Sequence, residues 1–221
     1  MANPETPLSQ VVHQFNYCPC QYMDSSWLTE KQSWIENLDG WRHRPMLNNW
    51  ALKEWALTPI SESTFNIPTN SMALLPPEAL KKLLVMVGGV LHCIAMRQVI
   101  LKEPKQHLNT VFGPEGVQFC IQQGPMLLSD WPAGWQHKLP SQFDSVSIQE
   151  RALQLGLVWF SFILKNSPDN IQQRWRFKLK QSDFTFSSNV AWLEESQRDL
   201  AYRLTKKIAK QVIPQWFHLL K

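Results

Sequence analysis

Between Pro76 and Pro104 apolar residues fall on every side of a helix: Leu80, Leu83, Leu84, Val85, Met86, Val87, Val90, Leu91, Ile94, Met96, Val99, Ile100 and Leu101. One stripe facing one neighbour needs far fewer. The pattern predicts a buried central helix over about residues 77–102, enclosed by the others. Pro77 suits a first helical turn, where its missing N–H is no loss, and Glu78 lies near the positive end of the dipole. Pro104 marks the expected end. Residues 83–101 approach the length of a membrane span, but Lys81, Lys82, His92, Arg97, Gln98 and Lys102 argue against that reading. Gly88 and Gly89 each cost about 1 kcal/mol relative to Ala inside a helix, so they mark a close helix neighbour or a bend.

Around this helix the pattern predicts a loose leader over residues 1–10 and a single helical domain over 11–221. Val11, Val12, Phe15 and Tyr17 precede Cys18-Pro19-Cys20 as a short helix or extended segment. Thr29 and Gln32 form a capping-box pattern ahead of Trp34, Ile35 and Leu38. Pro45 opens a further helix that stops before Pro59, and residues 58–75 read as a long surface connection. Past the central helix, Gly113-Pro114-Glu115 turns the chain into a short helix through Val117, Phe119, Cys120 and Ile121, ending near Gly124-Pro125. Residues 131–140 form a proline-bounded loop holding Trp131 and Trp135. Ser147 and Glu150 then cap a second strongly apolar helix, from Ala152 to Leu164, expected to pack on the central one. Trp175, Phe177 and Leu179 alternate with Arg176, Lys178 and Lys180, a period of two that predicts a strand and, with residues 184–186, one small β-hairpin near 175–186. The last helix begins at Asn189 or at Ser196. It sets Leu200, Leu204, Ile208 and Val212 on one side and Arg203, Lys206 and Lys210 on the other, with Lys207 at the margin. The fold class is mainly α.

Composition narrows the function more than it defines it. The net charge is +4, but residues 171–221 hold ten Lys or Arg against four acids, so the basic character belongs to the C-terminal quarter. Such asymmetry suits an acidic protein surface, a nucleic acid or an anionic membrane. Cys18, Cys20, Cys93 and Cys120 have no disulfide-framework spacing, and the first residues carry no signal-peptide pattern, which predicts a reducing cytoplasm. Cys18-Pro19-Cys20 is too short for a paired zinc knuckle and has no second pair. His92 and Cys93 are helix neighbours pointing about 100° apart, poor geometry for a base and a nucleophile, and the remaining histidines are scattered. Gly88-Gly89 lies inside an apolar helix and is no phosphate cradle. No catalytic, metal-binding or cofactor-binding residue is therefore assigned.

Several stretches, taken in order, resemble one family. They are Phe15-x-Tyr17-Cys18-Pro19, Leu91-His92 with Arg97, Trp131-Pro132-x-x-Trp135-Gln136-x-x-Leu139-Pro140, Glu195-Ser196-Gln197-Arg198-x-Leu200-Ala201, Lys210-Gln211-Val212-x-Pro214 and His218-Leu219-x-Lys221. Together they look like the SctK family, of the YscK and PscK type. The resemblance implies a non-enzymatic component of the type III secretion injectisome, at the cytoplasmic face of the inner membrane. There it would join the forkhead-associated-like cytoplasmic domain of the ring protein SctD to the pod protein SctQ, with no nucleic acid as partner, no membrane insertion and no cofactor. The alternative is a nucleic-acid or anionic-membrane binder acting through its C-terminal cations. Candidate partner-binding residues are Arg203, Lys206, Lys207 and Lys210 on the last helix, and Trp131 and Trp135 in the loop.

Overall fold

A computed structural model describes residues 6–28, 30–139, 148–184 and 193–220, and among these every regular element is helical. The α-helices are α1 (Leu8–Tyr17), α2 (Pro19–Tyr22), α3 (Pro45–Glu54), α4 (Pro68–Ser71), α5 (Pro77–Leu91), α6 (Cys93–Arg97), α7 (Lys102–Leu127), α8 (Ile148–Ile163), α9 (Asp169–Arg176) and α10 (Arg198–Val212), joined by short 3₁₀ turns. The chain divides into two compact units. The first comprises residues 1–80, 164–185 and 215–221, the second residues 81–163 and 186–214.

The mainly α class holds, and the expected hairpin does not. Residues 169–176 form α9, and 181–184 make a 3₁₀ turn; Phe186 lies outside the described residues. The alternation misled because burial here does not alternate. Ile171, Arg174 and Trp175 face inward at helical spacing, and beyond the helix Phe177, Lys178 and Leu179 are all buried in succession. Residues 58–75 also depart from a surface connection, for Phe65 and residues 70–75 are buried.

The central helix is shorter than its apolar run. The α5 helix stops at Leu91, His92 adopts φ −95°, ψ 14°, and α6 follows to Arg97. Pro104 belongs to the first turn of α7, where a proline breaks no helical hydrogen bond, so it opens a helix where an end was expected. Ile94, Ile100 and Leu101, placed in the core by pattern, are 50%, 81% and 72% exposed. The turn expected at Gly113 is present: φ 71°, ψ 159° there divides α7 into two helical halves.

In the first unit, Phe15 of α1 packs edge-on against Phe65 at 5.6 Å and stacks on Tyr22 at 5.7 Å. Two buried cations complete this core. The Arg174 guanidinium donates to the carbonyls of Phe15 (3.1 Å) and Asn16 (3.2 Å), acceptors left open at the C-terminal end of α1, and to Asn170 Oδ1 (3.1 Å). Lys178 Nζ donates to the carbonyls of Ala73 and Leu75, both at 2.6 Å, and lies 4.9 Å from the Phe15 ring centroid. Burial pulls its ammonium down to about 7.

In the second unit, α8 is buried around most of its circumference, including Leu153, Leu157, Trp159, Phe160 and Phe162. It crosses α5 at backbone contact. A Cβ on Gly88 would sit 2.0 Å from the Ala152 carbonyl oxygen, and one on Gly156 would sit 2.1 Å from that of Leu84. The close neighbour predicted for Gly88 is thus α8 itself. Gly89 leaves room for the Phe112 ring and Cys120 Sγ, and Gly124 for Cys93, which seats both halves of α7.

Candidate docking surfaces

Each candidate surface is built on the second unit. The α10 helix is amphipathic: Ala201, Leu204, Thr205, Ile208, Ala209 and Val212 are buried. Its start follows a 3₁₀ turn over Glu195–Gln197, so of the two expected origins the structure takes the one near Ser196; Asn189 lies outside the described residues. Glu194 N–H donates to Gln197 Oε1 at 3.2 Å and fixes that entry. The outward face carries Arg203, Lys207 and Lys210, all exposed. Lys206 is turned aside and half-buried, its Nζ 5.9 Å from the Tyr202 ring centroid. The stripe therefore runs through Lys207, with Lys206 at its edge.

Trp131 and Trp135 are buried, 6% and 9% exposed. Gly134, at φ 79°, turns the loop so that the two rings meet edge to face at 5.5 Å, and Trp159 of α8 lies 4.6 Å from Trp131 and 6.5 Å from Trp135. Trp159 Nε1 donates to Thr205 Oγ1 of α10 at 3.1 Å. The loop is thus pinned to α8 by its indoles. Trp131 Nε1 is buried with no hydrogen-bond partner among the described residues. Both rings line a cleft of about 570 Å³, shared with α6, its flanking residues His92 and Gln98, and Pro125 near the end of α7, and no carboxylate lines it among the described residues.

A second cleft, of about 400 Å³, went unseen in the sequence. Met86, Phe112, Phe119 and Val212 line its interior, the bend of α7 at Gly113 and Gly116 borders it, and Lys82, Glu115 and Gln211 stand at its rim. Its residues come from α5, both halves of α7 and the end of α10, so no periodicity announces it.

The Cys20 and Cys120 thiols and the His92 imidazole are held uncharged by burial. Burial pushes the Cys20 thiol up to about 11 and the Cys120 thiol up to about 12, away from the reactive thiolate. Burial, aided by the Arg151 charge, pulls His92 down to about 4, so it is neutral at ordinary pH. Among the described residues no three His, Cys, Asp or Glu side chains come together in a metal-binding group.

The profile of the YscK family, described as YOP proteins translocation protein K, matches residues 9–221. The chain belongs to the YscK family. Its YscK relatives include the Yop proteins translocation protein K of Yersinia enterocolitica and that of Yersinia pseudotuberculosis serotype I (strain IP32953). Each is 31% identical over 210 residues, which cover 94% of this chain and 96% of the relative. The fold is also similar to a solved structure, the cytoplasmic domain of the T3SS sorting platform protein PscK from P. aeruginosa. Identity to it is 27% and the TM-score 0.66, over 94% of this chain and 97% of that one. These YscK relatives therefore span α1 to α10, and both candidate surfaces fall inside the matched range.

Proposed function

We propose that the chain is a non-enzymatic adaptor of the type III secretion sorting platform, joining the cytoplasmic domain of the ring protein SctD to the pod protein SctQ. The observation that carries the reading is the near end-to-end match to translocation proteins and to a sorting-platform protein. The geometry supports it. An adaptor needs two surfaces of different chemistry, and the second unit offers a cationic stripe on α10 and a cleft lined by Trp131 and Trp135. Thiols held protonated and a neutral buried histidine give an enzyme little to work with. No described helix is long and apolar enough to cross a membrane, which suits docking at the cytoplasmic face through protein partners.

The test is binding of purified SctD cytoplasmic domain and SctQ, first separately and then together. Two independent affinities and a ternary complex are expected. Competition between the two for one surface would sink the linking role. Binding of duplex DNA that falls steeply with salt, in place of either protein, would favour the alternative reading of the C-terminal cations.

A further inference from the structure

The cationic stripe of α10 ends at the mouth of the Met86–Phe119 cleft. Gln211, at its rim, directly follows Lys210, and Val212 lines its interior. At 1.5 Å per residue, Lys207 lies about 6 Å and Arg203 about 12 Å back along the helix axis from Gln211. Lys82 stands on the cleft's α5 side. Against these four cations, the exposed acids of the described residues nearest to them along the chain and the rim are Glu115 on the rim, Glu78 one turn before Lys82 on α5 and Asp199 one turn before Arg203. Within the cleft are thioether, aromatic and aliphatic surfaces: Met86, Phe112, Phe119 and Val212 are each 6–8% exposed. An apolar recess that continues into a helix face where Arg203, Lys207 and Lys210 outnumber Asp199 is complementary to one kind of occupant.

We propose that this cleft and the α10 stripe form a single docking site for an acidic segment of a partner protein, whose apolar side chain enters the cleft while carboxylates one and two helical turns away meet Lys207 and Arg203. The inference rests on the adaptor reading and specifies the chemistry of one of its partners. The anchor supplies residence time, because a desolvated apolar contact governs dissociation; the cations supply approach, because exposed charge governs encounter. The two parts are therefore separable by experiment. Glu115 sets the polarity, disfavouring a carboxylate placed beside the anchor.

The full chain is titrated with a fluorescein-labelled helical peptide bearing one leucine and glutamates one and two turns further on, and separately with purified SctD cytoplasmic domain and SctQ. The peptide and one of the two proteins are expected to bind. Combined reversal of Arg203→Glu, Lys207→Glu and Lys210→Glu should weaken both by about tenfold, mainly by slower association, and remove most of the salt dependence. Gln211→Trp, which lays a large ring over the mouth, should weaken both by about fivefold through faster dissociation with the salt dependence intact. Gln211→Ala should bind as the wild type does, and all variants should keep its melting temperature. Peptide binding that survives replacement of its leucine by alanine, or that Gln211→Trp leaves unchanged, overturns the proposal, since the cations would then act without the cleft. So does binding of phosphatidylglycerol vesicles, with the same variant sensitivity, in place of the peptide. A peptide that behaves as expected while neither protein binds leaves the site standing and overturns the adaptor reading alone.

Discussion

In the second unit backbone meets backbone: α5 and α8 approach until only glycine fits at residues 88 and 156, and Gly89 and Gly124 seat further neighbours. In the first unit the joints are polar. Arg174 and Lys178 reach carbonyls more than a hundred residues away in the chain, Arg42 donates to Cys20 O and Met23 O, Asn16 exchanges two hydrogen bonds with Ile60, and Ser167 donates to Asn70. One unit relies on shape and the other on satisfied donors and acceptors. Long apolar helices can bury enough surface to need little else, whereas short helices and 3₁₀ turns leave many end groups that side chains must meet.

The sharpest way to break this contrast is to add one methyl-bearing side chain. Gly156→Val drives a branched side chain into the Leu84 carbonyl and should cost more than about 3 kcal/mol. Gly116→Ala meets the movable Cε of Met86 at 2.8 Å and the Phe112 Cβ at 3.2 Å, with no backbone atom among its nearest neighbours, and should cost less. Equal denaturation midpoints for the two would remove backbone contact as the cause. In the first unit, Arg174→Met removes the side-chain donor from the Asn16 carbonyl, leaves the Phe15 carbonyl with the Tyr22 hydroxyl, and should cost about 3 kcal/mol. Lys at that position should not rescue it, because one ammonium cannot reproduce the guanidinium fork. Urea denaturation of both variants decides this.

Lys178 predicts a pH signature. Its folded pKa of about 7 lies below the unfolded value of about 10.4, so above pH 7 the native state holds fewer protons than the unfolded chain and stability rises with pH. The gain should amount to roughly 2 kcal/mol between pH 7 and 8.5. Higher still, Cys20 and Cys120, whose pKa values are raised, pull the other way. Subtracting the profile of Lys178→Met isolates the lysine, and parallel profiles would show that its charge is not carried into the core. The smallest effect belongs to Trp131→Phe. It deletes a buried N–H that has no partner among the described residues, so stability should change by less than about 1 kcal/mol or improve slightly. A large loss, read by thermal melting, would reveal an acceptor for that indole.

What the sequence disclosed follows the same division. The apolar helices, their mutual packing and the meaning of Gly88 were legible because a helix buried on all sides leaves no polar stripe. The end of α5 was not, since a proline is equally at home after one helix and in the first turn of the next. Lys178 was invisible for another reason: alternation with Phe177 and Leu179 assigns a lysine to water, and only the Ala73 and Leu75 carbonyls, distant in the chain, show otherwise. Of the candidate surfaces, the α10 cations follow from helical periodicity and their positions needed only a small rotation. The adjoining cleft draws on three helices and became visible only once they were packed.

The glycine crossing has a mechanical consequence. Sliding α8 by one turn, about 5.4 Å, would bring either Ala152 or Phe160 to the place of Gly156 and press a side chain into the Leu84 carbonyl. The pair is therefore keyed, like a shaft with two splines. Within the second unit, a push along one of these helices is carried by the other without a one-turn slip.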